Sequence, residues 1–305
     1  MPDYRIQTPV VLFIFNRPES TKKVLDELRK NDLKILYIIA DGPRENSNND
    51  IEKCDQARLL CDQIDWDCEV IRNYSQENLG LRKRIISGIN WVFEKNEMAI
   101  FLEDDCIPNQ SFFRFCDELL VKYIDDRRIM AISGDNFQKQ KNVLPYSYYF
   151  SRYFHCWGWA TWKRAWNYYD DSMSLWPILK KERFIQFYFE GHRKSSRYWE
   201  KIFQSVYDGK IESWAYRWTY SCWANSGLTI LPKTNLVRNF GFGKDGTNTW
   251  GGVMSIPTQE LEFPLQHPSY ILRNYTADNY SQSTHYSTSF FRRGLRKVRR
   301  LTSRV

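Results

Sequence analysis

Short unbroken runs of apolar residues set the rhythm of the first half of this chain. Val10-Val11-Leu12-Phe13-Ile14-Phe15, Ile35-Leu36-Tyr37-Ile38-Ile39-Ala40, the shorter Glu69-Val70-Ile71-Arg72, Ala99-Ile100-Phe101-Leu102 and Ile129-Met130-Ala131-Ile132-Ser133 each read as a strand. Runs without polar alternation belong to strands covered on both faces. Between them the pattern predicts helices from Asn16-Arg17-Pro18 to about Lys30, then over 51–64, 81–95 and 112–123. Strands alternating with helices imply right-handed crossovers. The expected class is therefore α/β and Rossmann-like, with a mostly parallel central sheet flanked by helices.

The second half has a different texture. His155-Cys156-Trp157-Gly158-Trp159-Ala160-Thr161-Trp162, continuing to Trp166, is dense in aromatic rings. Helices are expected near 181–189, 195–207 and 216–224, a strand at Leu228-Thr229-Ile230-Leu231, and a glycine-rich loop over 241–246. No internal repeat and no Pro/Gly/Ser-rich linker divides the halves, so one domain over 1–289 is expected, with 290–305 appended to it.

Composition narrows the class. The 305 residues are 42% hydrophobic and 26% charged, the balance of a globular chain. Aromatic residues reach 16%, with 12 Trp, enough for packing and for a surface that grips flat sugar rings. The net charge of +8 is concentrated in Arg292, Arg293, Arg296, Lys297, Arg299, Arg300 and Arg304; without them the chain is nearly neutral. That distribution argues against nucleic-acid binding by the body of the protein. Phe290, Phe291, Leu295, Val298 and Leu301 interleave with those cations at helical spacing. The tail therefore reads either as an amphipathic segment for an anionic membrane surface or as a solvated terminus. Seven scattered Cys without a C-x-x-C, and no visible signal sequence, suggest reduced thiols in the cytoplasm, with the tail at the inner face of the plasma membrane.

The sharpest chemical signal is Glu103-Asp104-Asp105, which ends the run over 98–102. A buried strand ending in three carboxylates needs a cation or several donors. A hard divalent ion serving a bound diphosphate is the usual reason, and oxygen-only ligands suit Mn2+ or Mg2+. The bland alternative is a solvated turn or helix cap. Asn16-Arg17 and Asp41-Gly42 fall at two further strand ends, and ligands of parallel sheets bind beyond the carboxyl ends of the strands.

In these features the chain resembles a GT-A glycosyltransferase. The triplet is similar to the Glu-Asp-Asp form of the Asp-x-Asp motif in N-acetylglucosaminyltransferase I. More closely, the chain resembles bacterial glycosyltransferase family 2-like sugar transferases. The matching stretches are 9–17, Asp41-Gly42-Pro43, Glu77-Asn78-Leu79-Gly80, 101–108, 156–166, 213–218 and 235–249, within roughly 8–250. The resemblance implies a nucleotide-sugar donor, UDP-linked above all, a divalent metal, and inverting transfer to the hydroxyl of a glycan or lipid-linked acceptor in surface polysaccharide synthesis. It divides the domain into a nucleotide-sugar half, about 1–135, and an aromatic-rich acceptor half, about 136–289.

It also assigns residues. Phe15, Asn16, Arg17 and Asp41 would face base and ribose, and the stretch from Asn78 through Gly80 and Arg82 to Lys83 would cover the nucleotide and phosphates. Asp105 would be the metal ligand, with Asp104 and Glu103 on ribose or sugar. For Asp41 the alternative is a turn-forming role, and for the cations a solvated helix face. Trp157 and Trp159 read as an acceptor wall or as core; Trp162 and Trp166 read as core, and His155 as a bonded structural histidine. Two positions depart from the family pattern. Where it carries Thr-Trp-Asp-Tyr-x-Trp, with Asp as base, this chain has Ser213-Trp214-Ala215-Tyr216-Arg217-Trp218, and Asn248 stands where His is usual. Position 215 is thus the expected base site without its carboxylate, Glu212 is a weak substitute, and Asp245 is an acceptor-side candidate. A non-catalytic nucleotide-sugar or glycan binder of transferase descent is the alternative. A sugar nucleotidyltransferase fits less well, because the Phe15-Asn16-Arg17-Pro18 turn lacks the glycines that wrap a triphosphate.

Overall fold

The computed structural model describes residues 4–45, 47–138, 145–240 and 256–286. Asp245, Asn248 and the tail over 290–305 lie outside the described residues. In chain order the elements are β1 (Val10–Ile14), α1 (Pro18–Leu28), β2 (Ile35–Ala40), α2 (Asn48–Asp62), β3 (Glu69–Tyr74), α3 (Leu81–Phe93), β4 (Met98–Glu103), β5 (Cys106–Pro108), α4 (Gln110–Lys122) and β6 (Ile129–Ser133). They continue with β7 (Tyr148–Ser151), β8 (Trp159–Trp162), α5 (Lys163–Trp166), α6 (Trp176–Lys181), α7 (Phe184–Tyr188), α8 (Arg193–Tyr207), α9 (Trp214–Ala224), β9 (Leu228–Pro232), β10 (Val237–Asn239) and α10 (Tyr275–Ser281).

Eight strands form one sheet in the order β3-β2-β1-β4-β8-β6-β9-β7, and β5 pairs with β10 in a separate two-stranded ribbon. The β1/β2, β2/β3, β1/β4 and β6/β9 pairs are parallel. The β4/β8, β6/β8 and β7/β9 pairs are antiparallel. The α/β class expected from the alternating pattern is the one observed. β6 runs in the same direction as β4 because both oppose β8, so the carboxyl ends of β1, β2, β4 and β6 share one edge.

The sequence pattern missed the strand that joins the halves. The aromatic stretch at 155–166 contains β8, which slots between β4 and β6. All four of its residues are buried, so its two Trp mask a strand signal that alternation would otherwise have carried. The helix expected over 181–189 is the shorter α7, and α6 precedes it, the two separated where Arg183 adopts φ 57°. That left-handed conformation ends the first helix.

A stack of rings couples the two halves. Trp159 lies 4.8 Å from Phe101 of β4 and 5.3 Å from Trp214 at the start of α9, both stacked. Face-offset aromatic contacts of this kind add about 0.5–1.5 kcal/mol each beyond the area they bury. The strand carrying the acidic triplet is thereby registered against the helix carrying Ala215. A terminal strap closes the far side. Asp278 of α10 accepts from Ser151 Oγ at 2.5 Å, and Gln282 Oε1 accepts from Tyr153 Oη at 2.7 Å and Trp199 Nε1 at 2.9 Å.

Candidate active site

The site grows from the strand ends. β1 ends at Ile14, and the next three residues turn across the sheet edge toward the end of β4. The Phe15 N–H donates to Asp104 Oδ2 at 3.1 Å, and Arg17 Nη1 donates to Asp104 Oδ1 and Asp105 Oδ2, both at 3.0 Å. Pro18 at the start of α1 fixes the backbone so that Arg17 turns back onto the triplet. Asp105 Oδ1 accepts from Asn239 Nδ2 at 3.1 Å, which orients it from the β5/β10 ribbon.

Two carboxylates thus meet one guanidinium, with Glu103 beside them in the chain. Asp104 is 4% exposed. Burial first, then Asp105 and Asp104, pushes the Glu103 carboxyl up. Burial raises Asp104 as well, against the pull of Arg17 and with a further push from Asp105. In both, burial is the main cause, the neighbouring acids add to it and Arg17 opposes it. Oxygens of Asp104 and Asp105 converge on one cationic nitrogen, where a small cation could stand in place of Arg17. Among the described residues no group of three or more His, Cys, Asp or Glu is arranged to hold a metal. The donor set offered is two carboxylate side chains, which fits an ion that takes its other oxygens from phosphates and water, as Mg2+ does and Mn2+ can.

Asp41 is held by the loop that follows β3. Its Oδ1 accepts from the N–H of Leu79 at 2.9 Å and its Oδ2 from the N–H of Gly80 at 3.0 Å, with Asn78 Nδ2 at 3.3 Å. It is buried, and its carboxylate is taken up by the 78–80 loop, the structural alternative to contact with base or ribose. Asn78 Nδ2 also donates to Gly42 O at 2.7 Å. The two segments lie so close that a Cβ on Gly42 would stand 2.5 Å from backbone atoms of Glu77. Gly80 takes φ 78° and opens α3, whose first N–H groups have no side-chain cap. Lys83 on that turn is exposed, while Arg84 is buried and donates to the carbonyl of Ala40 at 3.1 Å.

Arg82 reaches across to the acceptor half. Its Nε donates to Glu212 Oε2 at 2.6 Å and its Nη1 to Asp171 Oδ2. Glu212 is exposed and held in this ion pair. Ala215 is the second residue of α9, half-buried, with Ser213 as N-cap accepting from the Tyr216 N–H at 3.3 Å. Trp159 is in the core, 3% exposed, so of the two candidate wall residues only half-buried Trp157 has surface to offer a ligand.

Several residues escaped the sequence reading. Asp135 follows β6 as the triplet follows β4, and Phe101 of β4 and Ser133 of β6 both pair with Trp159 of β8. Its carboxylate is fully buried, 3.3 Å from His155 Nδ1, and burial pushes it up. Both its oxygens and His155 Nε2 lack a well-formed hydrogen bond. His155 packs 4.5 Å from Phe137, which meets Trp157 edge-on at 5.0 Å. The strand at 129–133 was legible, so the acid two residues past its end was a usable signal. Asp50 was not: it accepts from Asn16 Nδ2 at 2.8 Å and from Arg44, which lies 5.6 Å over the Phe15 ring. Only tertiary structure joins these.

No protein-family model and no curated protein matches this chain. Among solved structures it is similar to a mannosyltransferase from Pyrobaculum calidifontis in complex with GDP-Man and Mn2+, with TM-score 0.37, 16% identity, and coverage of 54% of this chain and 47% of that one. It is also similar to a UDP-glucose pyrophosphorylase complexed with UDP-glucose, with TM-score 0.27, 11% identity, and coverage of 48% of this chain and 64% of that one. The chain therefore spans less than two thirds of either neighbour.

Proposed function

We propose that this protein is a metal-dependent inverting glycosyltransferase that moves a sugar from a nucleotide-diphosphate donor, UDP-linked in the first instance, to a hydroxyl of a glycan or lipid-linked acceptor. The observation that carries this reading is the excess of carboxylate at the end of β4, where two acids converge on one cation beside the ends of β1 and β2. Asp105, oriented by Asn239, and Asp104 would hold Mn2+ or Mg2+. Such an ion supplies charge stabilisation to a leaving diphosphate.

The chain's own residues do the rest. Arg17 offsets part of the charge of Asp104 and Asp105 before donor arrives and would turn to the donor's phosphates once a metal takes its place. Asp41 holds the Asn78–Gly80 loop so that the open start of α3, with Lys83, presents backbone donors and positive charge to an anion. Phe15 and Asn16, braced by Arg44 and Asp50, suit a base and ribose. Trp157 offers an aromatic face to an acceptor ring. Ala215 leaves the acceptor proton without its expected carboxylate, and this feature favours the second reading, a binder of nucleotide sugars that has lost turnover. The basic tail would keep the enzyme near lipid-linked acceptors.

Calorimetry with UDP, with and without Mn2+, followed by assay of UDP release from UDP-sugars, tests the reading. Mn2+-dependent binding with slow release supports the transferase, and Mn2+-dependent binding with no release supports the binder. If UDP, GDP and dTDP all fail to bind in the presence of Mn2+, both readings are wrong.

A further inference from the structure

The surface of the acceptor half carries a feature that transfer chemistry does not use. α6 and α7 lie against α8. Trp176 Nε1 and Lys180 Nζ both donate to Gln204 Oε1, at 3.1 and 2.8 Å, and the Trp176 ring meets Phe203 at 5.7 Å. Their inward residues, Trp176, Ile185 and Phe189, are buried. Their outward residues are apolar too: Leu175 is 54% exposed, Ile178 60% and Phe187 73%. A soluble surface gains nothing from three such side chains on two adjacent short helices, whereas an interaction surface does.

The charge around them names the partner. Lys180, Lys181, Arg183, Arg193, Lys194, Arg197 and Lys201 are all exposed, and among the described residues none of them forms an ion pair. The acids of the same stretch are Glu182, Glu190 and Glu200. Glu190 is engaged by Arg273 at 2.6 Å and by Arg152 at 3.5 Å. On α8, Arg193, Arg197 and Lys201 recur every four residues, so they form one row on the helix face opposite buried Ser196, Trp199 and Phe203. Large apolar side chains set among unpaired cations match a bilayer: the apolar groups enter below the headgroups and the cations meet anionic lipid.

We propose that the outer face of α6, α7 and α8 is a docking surface for an anionic phospholipid bilayer. Leu175, Ile178 and Phe187 are its apolar contacts, and the cations of α6 to α8 are its electrostatic ones. The proposal does not depend on the transfer reading, because it concerns a surface built from other residues. It also differs from an anchor in the basic tail, because it uses α6 to α8 and no residue of 290–305.

The test is flotation of the full-length chain with vesicles of phosphatidylcholine alone and with added phosphatidylglycerol. Two variants accompany it: Ile178→Glu with Phe187→Glu, and a chain with Arg292, Arg293, Arg296 and Arg299 changed to Gln. Binding should require phosphatidylglycerol and weaken with salt. The double Glu variant should lose tenfold or more in partitioning at unchanged Tm, and should do so equally in the tail-neutralised chain. Equal binding by wild type and the double Glu variant overturns the proposal, as does a failure of wild type to float with either vesicle. Loss of all binding on tail neutralisation alone also overturns it. A concentration-dependent dimer in sedimentation that the double Glu variant abolishes would make the patch a contact between copies, and the proposal would again be wrong.

Discussion

Arg17 is the residue on which the site balances. It is the counter-ion of two acids, and Asp104 is too buried to find another in water. Removing one partner of such a pair leaves an uncompensated charge, a loss of about 3–5 kcal/mol when the pair is fully buried and less when, as here, the guanidinium is partly exposed. Arg17→Leu should therefore lower Tm, and added Mn2+ should raise the Tm of this variant more than that of wild type. An equal response of the two to Mn2+ in thermal unfolding would show that Asp104 and Asp105 do not share a metal with the position Arg17 now occupies. Ala215 supports a prediction of opposite sign. At the second position of a helix an acid is favoured by the free N–H groups, by about 0.3–1 kcal/mol. Ala215→Asp should fold as well as wild type and raise sugar transfer by about 10²–10⁴, the usual range for a positioned general base. Steady-state UDP release reads this directly; a stable variant that binds donor and turns over no faster would place the base elsewhere.

Among the elements, the loop at 78–80 and the strap at 275–286 have distinct vulnerabilities. Gly42→Ala would place a methyl 2.5 Å from the Glu77 backbone, so the loop must shift while the sheet beneath it stays intact. The expected outcome is unchanged far-UV circular dichroism with UDP affinity reduced about tenfold, measured by calorimetry. The strap responds to pH. Burial raises the Asp278 carboxyl from 3.8 to about 6, against the opposing effects of Ser151 and Arg152. The folded state therefore holds a proton between those values that the unfolded state has released. Stability contributed by this group is fully present below about pH 4, falls as pH rises to about 6, and is level beyond. The change is roughly 3 kcal/mol at most. Urea unfolding across that range should show the decline, and Asp278→Asn should flatten it; an unchanged slope in the variant would assign the dependence to other groups.

At the scale of the whole molecule, the first half was the readable one. Runs such as Val10 to Ile14 and Leu36 to Ala40 are buried throughout, and their length and β-branched content suit a strand covered on both faces. Glu103 to Asp105 stood out for a related reason: charge directly after a buried strand has to be compensated. The second half resisted because its signals overlap. Trp157 and Trp159 look like a ligand wall and like core, and β8 is too short to show a period of its own. Asp41 left two roles open in the sequence, since an acid after a strand is chemically the same whether it faces a ribose or the N–H groups of Leu79 and Gly80, and only the fold shows its contacts with the latter. Contacts across long sequence separations, such as Asn239 with Asp105 or Asp171 with Arg82, leave no local trace at all.

The insertion of β8 between β4 and β6 has a consequence for synthesis. A ribosome that has released only the first 135 or so residues has made β1 to β4 and β6 but not the strand that separates the last two. The open flank of β4, Ala99 to Leu102, is fully apolar, and an unpaired edge of that kind invites pairing with another chain. A polypeptide ending near residue 135 should pellet where the 305-residue chain stays in solution, and chaperone binding to the growing 305-residue chain should fall once residues 159–162 have emerged from the exit tunnel.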